Sequence, residues 1–413
     1  MFASYGAVLR SPRAARVFGA ALLGRLSYGT VGLSLTLTFV QATGSYARAG
    51  AMLALFGGVS CLLTPWRAGL VDRFGPRAAL RPMAVLYGLG LVGLVVAAQW
   101  APTPVAAVVA VVGGACAPPL GPVMRALWAR LVPDRDMLQR AYSLDTVAEQ
   151  VIFTVGPLLA GLFVVLASPA IGVLVSAVLV ITGTFGLTTT RNTITRPAEV
   201  ETPAEGERID GADPGAWGVL GRLWPTLLAM AALGAAESGL ALLTVAFAGA
   251  GGAAWAEAAI SVAGVAGGLV YGAVTWKMAP GTRLPLMAVP MAVALAAAGL
   301  APGVLALIAI VSVFGLFIAP ALTTGYLVAE AAAPPRRGTG VASWVNTAFN
   351  AGSSLGAAGV GALTDLVPLS LCFAFAALPV LASSVLVLAV MRRTPGRAAD
   401  QESGLAAEDV LAV

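Results

Sequence analysis

Gly69-Leu70-Val71-Asp72-Arg73-Phe74-Gly75-Pro76-Arg77 is a short polar island in a chain that is otherwise strongly apolar. Before it, residues 47–66 carry a single charge, Arg48; after it, residues 78–100 carry one, Arg81. Gly75 and Pro76 punctuate the pattern and mark a turn between two helices. Each flanking run is about 20 residues long, enough to cross a hydrocarbon core of about 30 Å as a helix. Read outward from this island, the same alternation predicts spans at 15–41, 47–66, 78–100, 103–128, 140–166 and 169–190. After a polar stretch it continues at 222–248, 254–276, 284–301, 303–329, 339–363 and 368–391.

Composition agrees. Of 413 residues 59% are hydrophobic and 10% charged, with a mean hydropathy of +0.90. Soluble domains carry about 25% charged residues, so there is too little polar surface here for a water-soluble globule. Strands of a membrane barrel alternate apolar and polar positions over about ten residues, and no such alternation is present. The expectation is an all-α membrane protein of twelve transmembrane helices in two six-helix halves. Cys61, Cys116 and Cys372 lie inside apolar runs and read as small hydrophobes. With no histidine, no metal site or cofactor is expected, and proton chemistry falls to carboxylates. The basic N-terminus, MFASYGAVLRSPRAAR, precedes an uncleaved first helix, since no small-residue cleavage site follows it.

Twelve spans put both termini on one side. Placing the N-terminus in the cytoplasm puts every Lys and Arg except Arg25 and Arg48, of 24 in all, at the cytoplasmic face. The net charge of +5 therefore reflects topology, not nucleic-acid binding. Trp66, Trp100, Trp128, Trp224, Trp255 and Trp276 fall at span ends, as headgroup anchors would. The acidic, Pro- and Gly-containing stretch 191–221 reads as a solvated linker between halves 1–190 and 222–392, and 393–413 as a cytoplasmic tail.

The halves echo each other at an offset near 200. Gln150 stands six residues before Gly156 in span 5, and Asn346 six before Gly352 in span 11. The island after span 2 resembles the cytoplasmic loop motif of the major facilitator superfamily, with Gly69, Asp72, Arg73, Gly75 and Arg77 in the motif's roles. The first glycine of that motif stands four residues before the aspartate, where this chain has Ala68 and carries Gly69 one place late. The resemblance implies a gate: Asp72 would cap a neighbouring helix and pair with basic groups, latching the cytoplasmic side. The equivalent second-half loop has Trp276 where the aspartate would be. Gly156, Pro157 and Gly161 are similar to the Gly-Pro motif in span 5 of the superfamily's drug/proton antiporters.

Ionisable groups inside spans are costly and point to mechanism. Counting at about 1.5 Å per residue from the nearest cytoplasmic charge puts Arg25 and Glu149 roughly 13 Å deep, and Arg125 and Asp145 roughly 7 Å deep. Two matched layers are expected, Arg25 with Glu149 and Arg125 with Asp145. Glu237 lies about 18 Å along span 7, with no basic residue at its depth. Such a carboxyl is expected to hold a proton part of the time. Arg25, Tyr28, Gln150, Glu237, Asn346 and Asn350 are the expected cavity residues, although interhelical hydrogen bonding is the more common use of intramembrane asparagines. Gly268/Gly272 and Gly352/Gly356 fit close helix packing.

These features predict a carrier of the bacterial inner membrane that exports a small, largely apolar compound by alternating access, as a monomer exchanging it for protons. Glu237, Glu149 and Arg25 would carry the coupling. Uptake of a polar or anionic metabolite held by Arg25 is an alternative, and a non-transporting receptor or scaffold on the same fold is another. An enzyme is not expected, because no nucleophile–base arrangement is recognisable.

Overall fold

A computed structural model describes residues 2–10, 13–132, 134–189, 216–333, 337–364 and 366–393. Nearly all of them are helical: α1 (Phe2–Arg10), α2 (Ala14–Thr43), α3 (Tyr46–Leu62), α4 (Thr64–Phe74), α5 (Pro76–Trp100), α6 (Thr103–Ala115), α7 (Leu120–Leu131), α8 (Arg135–Leu166) and α9 (Pro169–Thr189). Then follow α10 (Ala216–Ala273), α11 (Pro280–Ala298), α12 (Val304–Ala331), α13 (Gly338–Thr364) and α14 (Leu369–Arg393). Most of the expected linker and tail lies outside the described residues, but Ala216–Gly221 already belong to α10.

Local chemistry explains the boundaries. Gly44 closes α2 with a positive φ of 65°, and the Ser45 hydroxyl then caps α3 by accepting from the Arg48 N–H at 3.3 Å. Asp134 caps α8 in the same way through the Met137 N–H at 3.2 Å. Gly75, at φ 83°, makes the turn from α4 into α5, a conformation that favours glycine. Gly249, at φ 66° and ψ 179°, breaks α10 into arms 218–249 and 251–273.

Among the described residues nine helices are long and apolar enough to cross a membrane, and the pair α3–α4, bent by 44°, makes a tenth. The other two expected spans are present as α2 and α13 but fall short of that apolarity. Their polar residues turn inward instead: Arg25, Ser27, Thr30, Ser34 and Thr38 of α2 are buried, as are Thr339 and Ser343 of α13. Two expected spans are discontinuous. Span 2 breaks at Leu63, and span 4 breaks between Ala115 and Leu120, where Pro118 and Pro119 supply no N–H to a helix.

The outside of the bundle is apolar. Side chains such as Val165, Leu300 and Leu305 are more than three-quarters exposed, as suits a surface that meets lipid. Glycines set the closest internal approaches. A Cβ on Gly156 would collide with the backbone of Gly29, and one on Gly352 with the backbone of Ala231. The echo at an offset near 200 is thus a repeated contact, α8 on α2 and α13 on α10. Gly356 is seated on Ala235 likewise, while Gly268 and Gly272 face Val147 and Ser143 of α8. Trp128 departs from the expected headgroup position: it is fully buried and packs 5.3 Å from Phe18, centroid to centroid.

Candidate functional site

A cavity of about 1030 Å³ lies at the centre of the bundle. Arg25, Tyr28, Gln150, Glu237, Asn346 and Asn350 all line it, which brings residues from α2, α8, α10 and α13 together. Neither asparagine side chain makes a hydrogen bond among the described residues; both face the cavity rather than tying helices together.

The four charges expected in two layers, Arg25, Arg125, Asp145 and Glu149, form one cluster. Arg25 reaches Asp145 at 2.7 Å and Glu149 at 3.0 Å, and Arg125 reaches Asp145 at 3.1 Å and also pairs with Glu149. The reason is geometric. Asp145 and Glu149 share one face of α8 a turn apart, and each planar guanidinium fork spans both carboxylates. Arg25, Arg125 and Asp145 are at most 2% exposed, whereas Glu149 keeps 24% and opens to the cavity. Two cations and two anions cancel, so the cluster is neutral as it stands. Arg125 also lies over the Tyr326 ring of α12, 3.7 Å from its centre.

The opposite wall is different. Glu237, on the first arm of α10, makes no ion pair or hydrogen bond among the described residues, nor does Glu257 on the second arm. Both line the cavity. Glu257 escaped the sequence analysis, although a second carboxyl inside an apolar span of the same half was a readable signal. Arg67, taken there as a loop residue, is 2% exposed and also lines the cavity. It makes no ion pair among the described residues; backbone carbonyls surround it instead.

The cavity is closed at the end where Asp72 lies. The Asp72 carboxylate accepts from the N–H of Gly340 at 2.7 Å and of Thr339 at 3.3 Å, capping the start of α13. Asp72 thus caps that helix; among the described residues no basic group comes within salt-bridge distance of it, although the charge of Arg130 on α7 acts on it. Gly69 is exposed with open space around it, and it is Ala68 that is buried, four residues before Asp72. Arg73 stacks on Phe74, and Arg77 is exposed. In α8, Gly156 makes the close approach described above, whereas Pro157 is exposed and Gly161 meets open space.

A second closure at the same end uses other residues. Gln139 of α8 donates to the carbonyls of Tyr271 and Val274, at 3.1 and 3.0 Å, at the end of α10. Arg283 braces it, 2.7 Å from the Gln139 oxygen and 2.6 Å from the Tyr271 hydroxyl. Trp276, standing where the aspartate would be, donates to the Tyr271 carbonyl at 3.1 Å. The Tyr5 hydroxyl of α1 adds a bond to the Leu269 carbonyl at 2.7 Å. At the other end the lining residues Phe153 and Leu158 are exposed.

A membrane bundle with a central cavity, charge-lined and shut at one end, is the architecture of a carrier, and the sequence comparison decides which. The profile of the Major Facilitator Superfamily matches residues 17–324. The chain belongs to that superfamily. Its members are transporters, and this facilitator is a transporter rather than an enzyme. No curated protein sequence matches it. Similar solved structures include a human organic anion transporter (TM-score 0.71, 14% identity, 90% of this chain and 98% of that one). The Escherichia coli fucose:proton symporter aligns with a TM-score of 0.69 at 14% identity, over 90% of this chain and 98% of that one. A bacterial homologue of the iron transporter ferroportin, in an outward-facing state, aligns at 0.68 and 14%, over 92% and 98%. At such identities the likeness speaks for the fold alone.

Proposed function

We propose that this facilitator exports small, largely apolar compounds in exchange for protons, working as a monomer in a bacterial inner membrane with both termini in the cytoplasm. The observation that carries the reading is the pair Glu237 and Glu257. Two carboxyls share one wall of the cavity without a counter-ion among the described residues, while the cavity's arginines are already engaged. A carboxyl in such a place is satisfied by a proton or by a ligand's positive or donor group. Because the two compete for the same oxygens, binding of one releases the other, and that is the logic of antiport. Apolar compounds bearing a cationic group suit this wall best.

Asp72 then lies on the cytoplasmic side, and its cap stabilises the state open to the outside. Neighbours of this fold include a proton symporter and an organic anion transporter by their names, so fold sets neither direction nor cargo. Uptake of an anion on Arg25 has less to support it, since both terminal nitrogens of Arg25 already face carboxylates.

The reading is tested with purified protein in liposomes, recording proton release on addition of ethidium, tetraphenylphosphonium and uncharged apolar compounds. Wild type should release protons when the cations bind, and Glu237→Gln should not. Movement of a compound by wild type with no accompanying proton would overturn proton exchange.

A further inference from the structure

Two broken helices meet at Arg67, and the meeting is unusual in its completeness. The bend between α3 and α4 and the break between α6 and α7 both present carbonyls to the Arg67 side chain; that of Leu63 also accepts from the Arg67 backbone N–H at 3.0 Å, and that of Gly114 from the Ala117 N–H at 3.3 Å. All five N–H groups of the Arg67 side chain are spent on these two breaks. Nε donates to the Leu63 carbonyl at 3.3 Å, and one terminal nitrogen to Gly114 at 3.2 Å and to Ala117. The other terminal nitrogen donates to the Thr64 hydroxyl at 2.9 Å and to the Ser60 carbonyl. Thr64 in turn donates to Ser60 at 2.6 Å. The adjoining carbonyl, Pro118, is taken by the Tyr28 hydroxyl.

The same short helix that carries Arg67 at the cavity carries Asp72 at the closure. Five residues separate them, about 7.5 Å along a rigid α4. For Asp72 to leave the N–H groups of Thr339 and Gly340, α4 must tilt, and the place where it can pivot is the bend at Leu63. The Arg67 guanidinium straddles that pivot, holding α3 on one side and the α6–α7 break on the other. Its own cradle, with Ser60 and Thr64, lines the cavity.

We propose that Arg67 is the positioning residue that couples the cavity to the Asp72 closure, by fixing the tilt of α4. An occupant pressing on the cradle changes the angle at Leu63 and so loosens or seats the Asp72 cap at the far end of the same helix. The inference concerns the transport cycle and stands whichever compound is carried. A purely architectural Arg67 would matter for stability but not for the balance between open and closed ends, and this difference makes the proposal testable without a known substrate.

The test is a double-mutant cycle read by spin-label distances in full-length protein, with Cys61, Cys116 and Cys372 replaced by alanine. Labels at Phe74 and Met278 report the Asp72 end, and labels at Trp100 and Leu300 the opposite end. Arg67→Lys keeps the charge but has too few donors in the wrong geometry to span both breaks. It should raise the fraction open at the Asp72 end roughly threefold or more. Asp72→Asn should do likewise, and the double variant should go no further, because the two act through one contact. Distances in Arg67→Lys that match wild type, or effects of the two changes that add, would overturn the proposal. Thr64→Val removes a hydroxyl acceptor and little volume, and serves if Arg67→Lys does not fold. It should shift the same distances in the same direction, and no shift there counts against the coupling.

Discussion

The guanidinium of Arg125 is shared between Glu149 of α8 and the ring face of Tyr326 on α12. This one side chain joins the neutral charge cluster to a helix from the other part of the chain. Tyr142, which donates to Glu330 at 3.3 Å, makes a parallel bridge one turn nearer the closed end. The cluster therefore touches both the cavity, through Glu149, and the contact that opens when the two groups of helices part.

Replacing Tyr326 tests that bridge. Tyr326→Phe keeps the ring face and should leave the closed state nearly unchanged, whereas Tyr326→Leu removes it. A desolvated cation–π contact contributes about 0.5–2 kcal/mol, so the leucine variant should open the Asp72 end measurably more often. Paired spin labels at Phe74 and Met278 read this directly.

Within the cluster, single neutralisation should cost more than double. Asp145→Asn strands part of two guanidinium charges with essentially no exposure, and removing one partner of a buried pair costs about 3–5 kcal/mol. A compensating Arg25→Gln in the same molecule should recover part of the loss. Thermal melting in detergent of the two single variants and the double variant measures the recovery, and strictly additive losses would mean that the pairs are not coupled.

Close helix contacts should be unforgiving where they are made by glycine. Gly352→Leu drives a side chain into the backbone of Ala231 and should lower stability by about 1–3 kcal/mol. Gly161→Leu, in open space, should be tolerated. Melting temperature and the yield of monodisperse protein distinguish them.

Much of the architecture was legible because hydrophobicity and arginine placement report the same topology. Every expected span corresponds to a helix or a bent pair. What escaped was anything that depends on two coordinates at once. Depth along a helix placed Arg25 beside Glu149 and Arg125 beside Asp145, but depth is one-dimensional, and the guanidinium forks reach across it to join all four. Arg67 was hidden by its own plausibility as a topological anchor, one residue past the expected end of span 2. Trp128 was misplaced for the same reason: a tryptophan at a span end is usually an anchor, and only packing shows that this one meets Phe18. Trp276 displaced the expected aspartate without abolishing the second closure, because an amide on α8 bonds carbonyls at the end of α10. Chemistry of reversed polarity leaves no motif to recognise.

The Asp72 cap is a further prediction with a distinctive pattern. Asp72→Ala removes a cap worth about 0.5–2 kcal/mol and should increase labelling of cysteines introduced behind the closure. Substituting Thr339 by valine removes a hydroxyl that also bonds the Asp72 carboxylate but leaves both backbone N–H groups, so it should give a smaller effect than Asp72→Ala. Gly340→Pro, which deletes the N–H at 2.7 Å, should match or exceed the effect of Asp72→Ala.

That asymmetry reaches beyond this molecule. A grip on peptide groups places little demand on the side chains of the gripped residues, so Asp72 and its partner need not change together over evolutionary time. Among descendants of a common ancestor, the aspartate would stay while the start of α13 varies within two limits, no proline and no bulk at Gly340, where a Cβ would stand 3.3 Å from the Asp72 carboxylate. Correlated substitution, the usual trace of a contact between distant positions, would be silent at the very junction that holds this carrier shut.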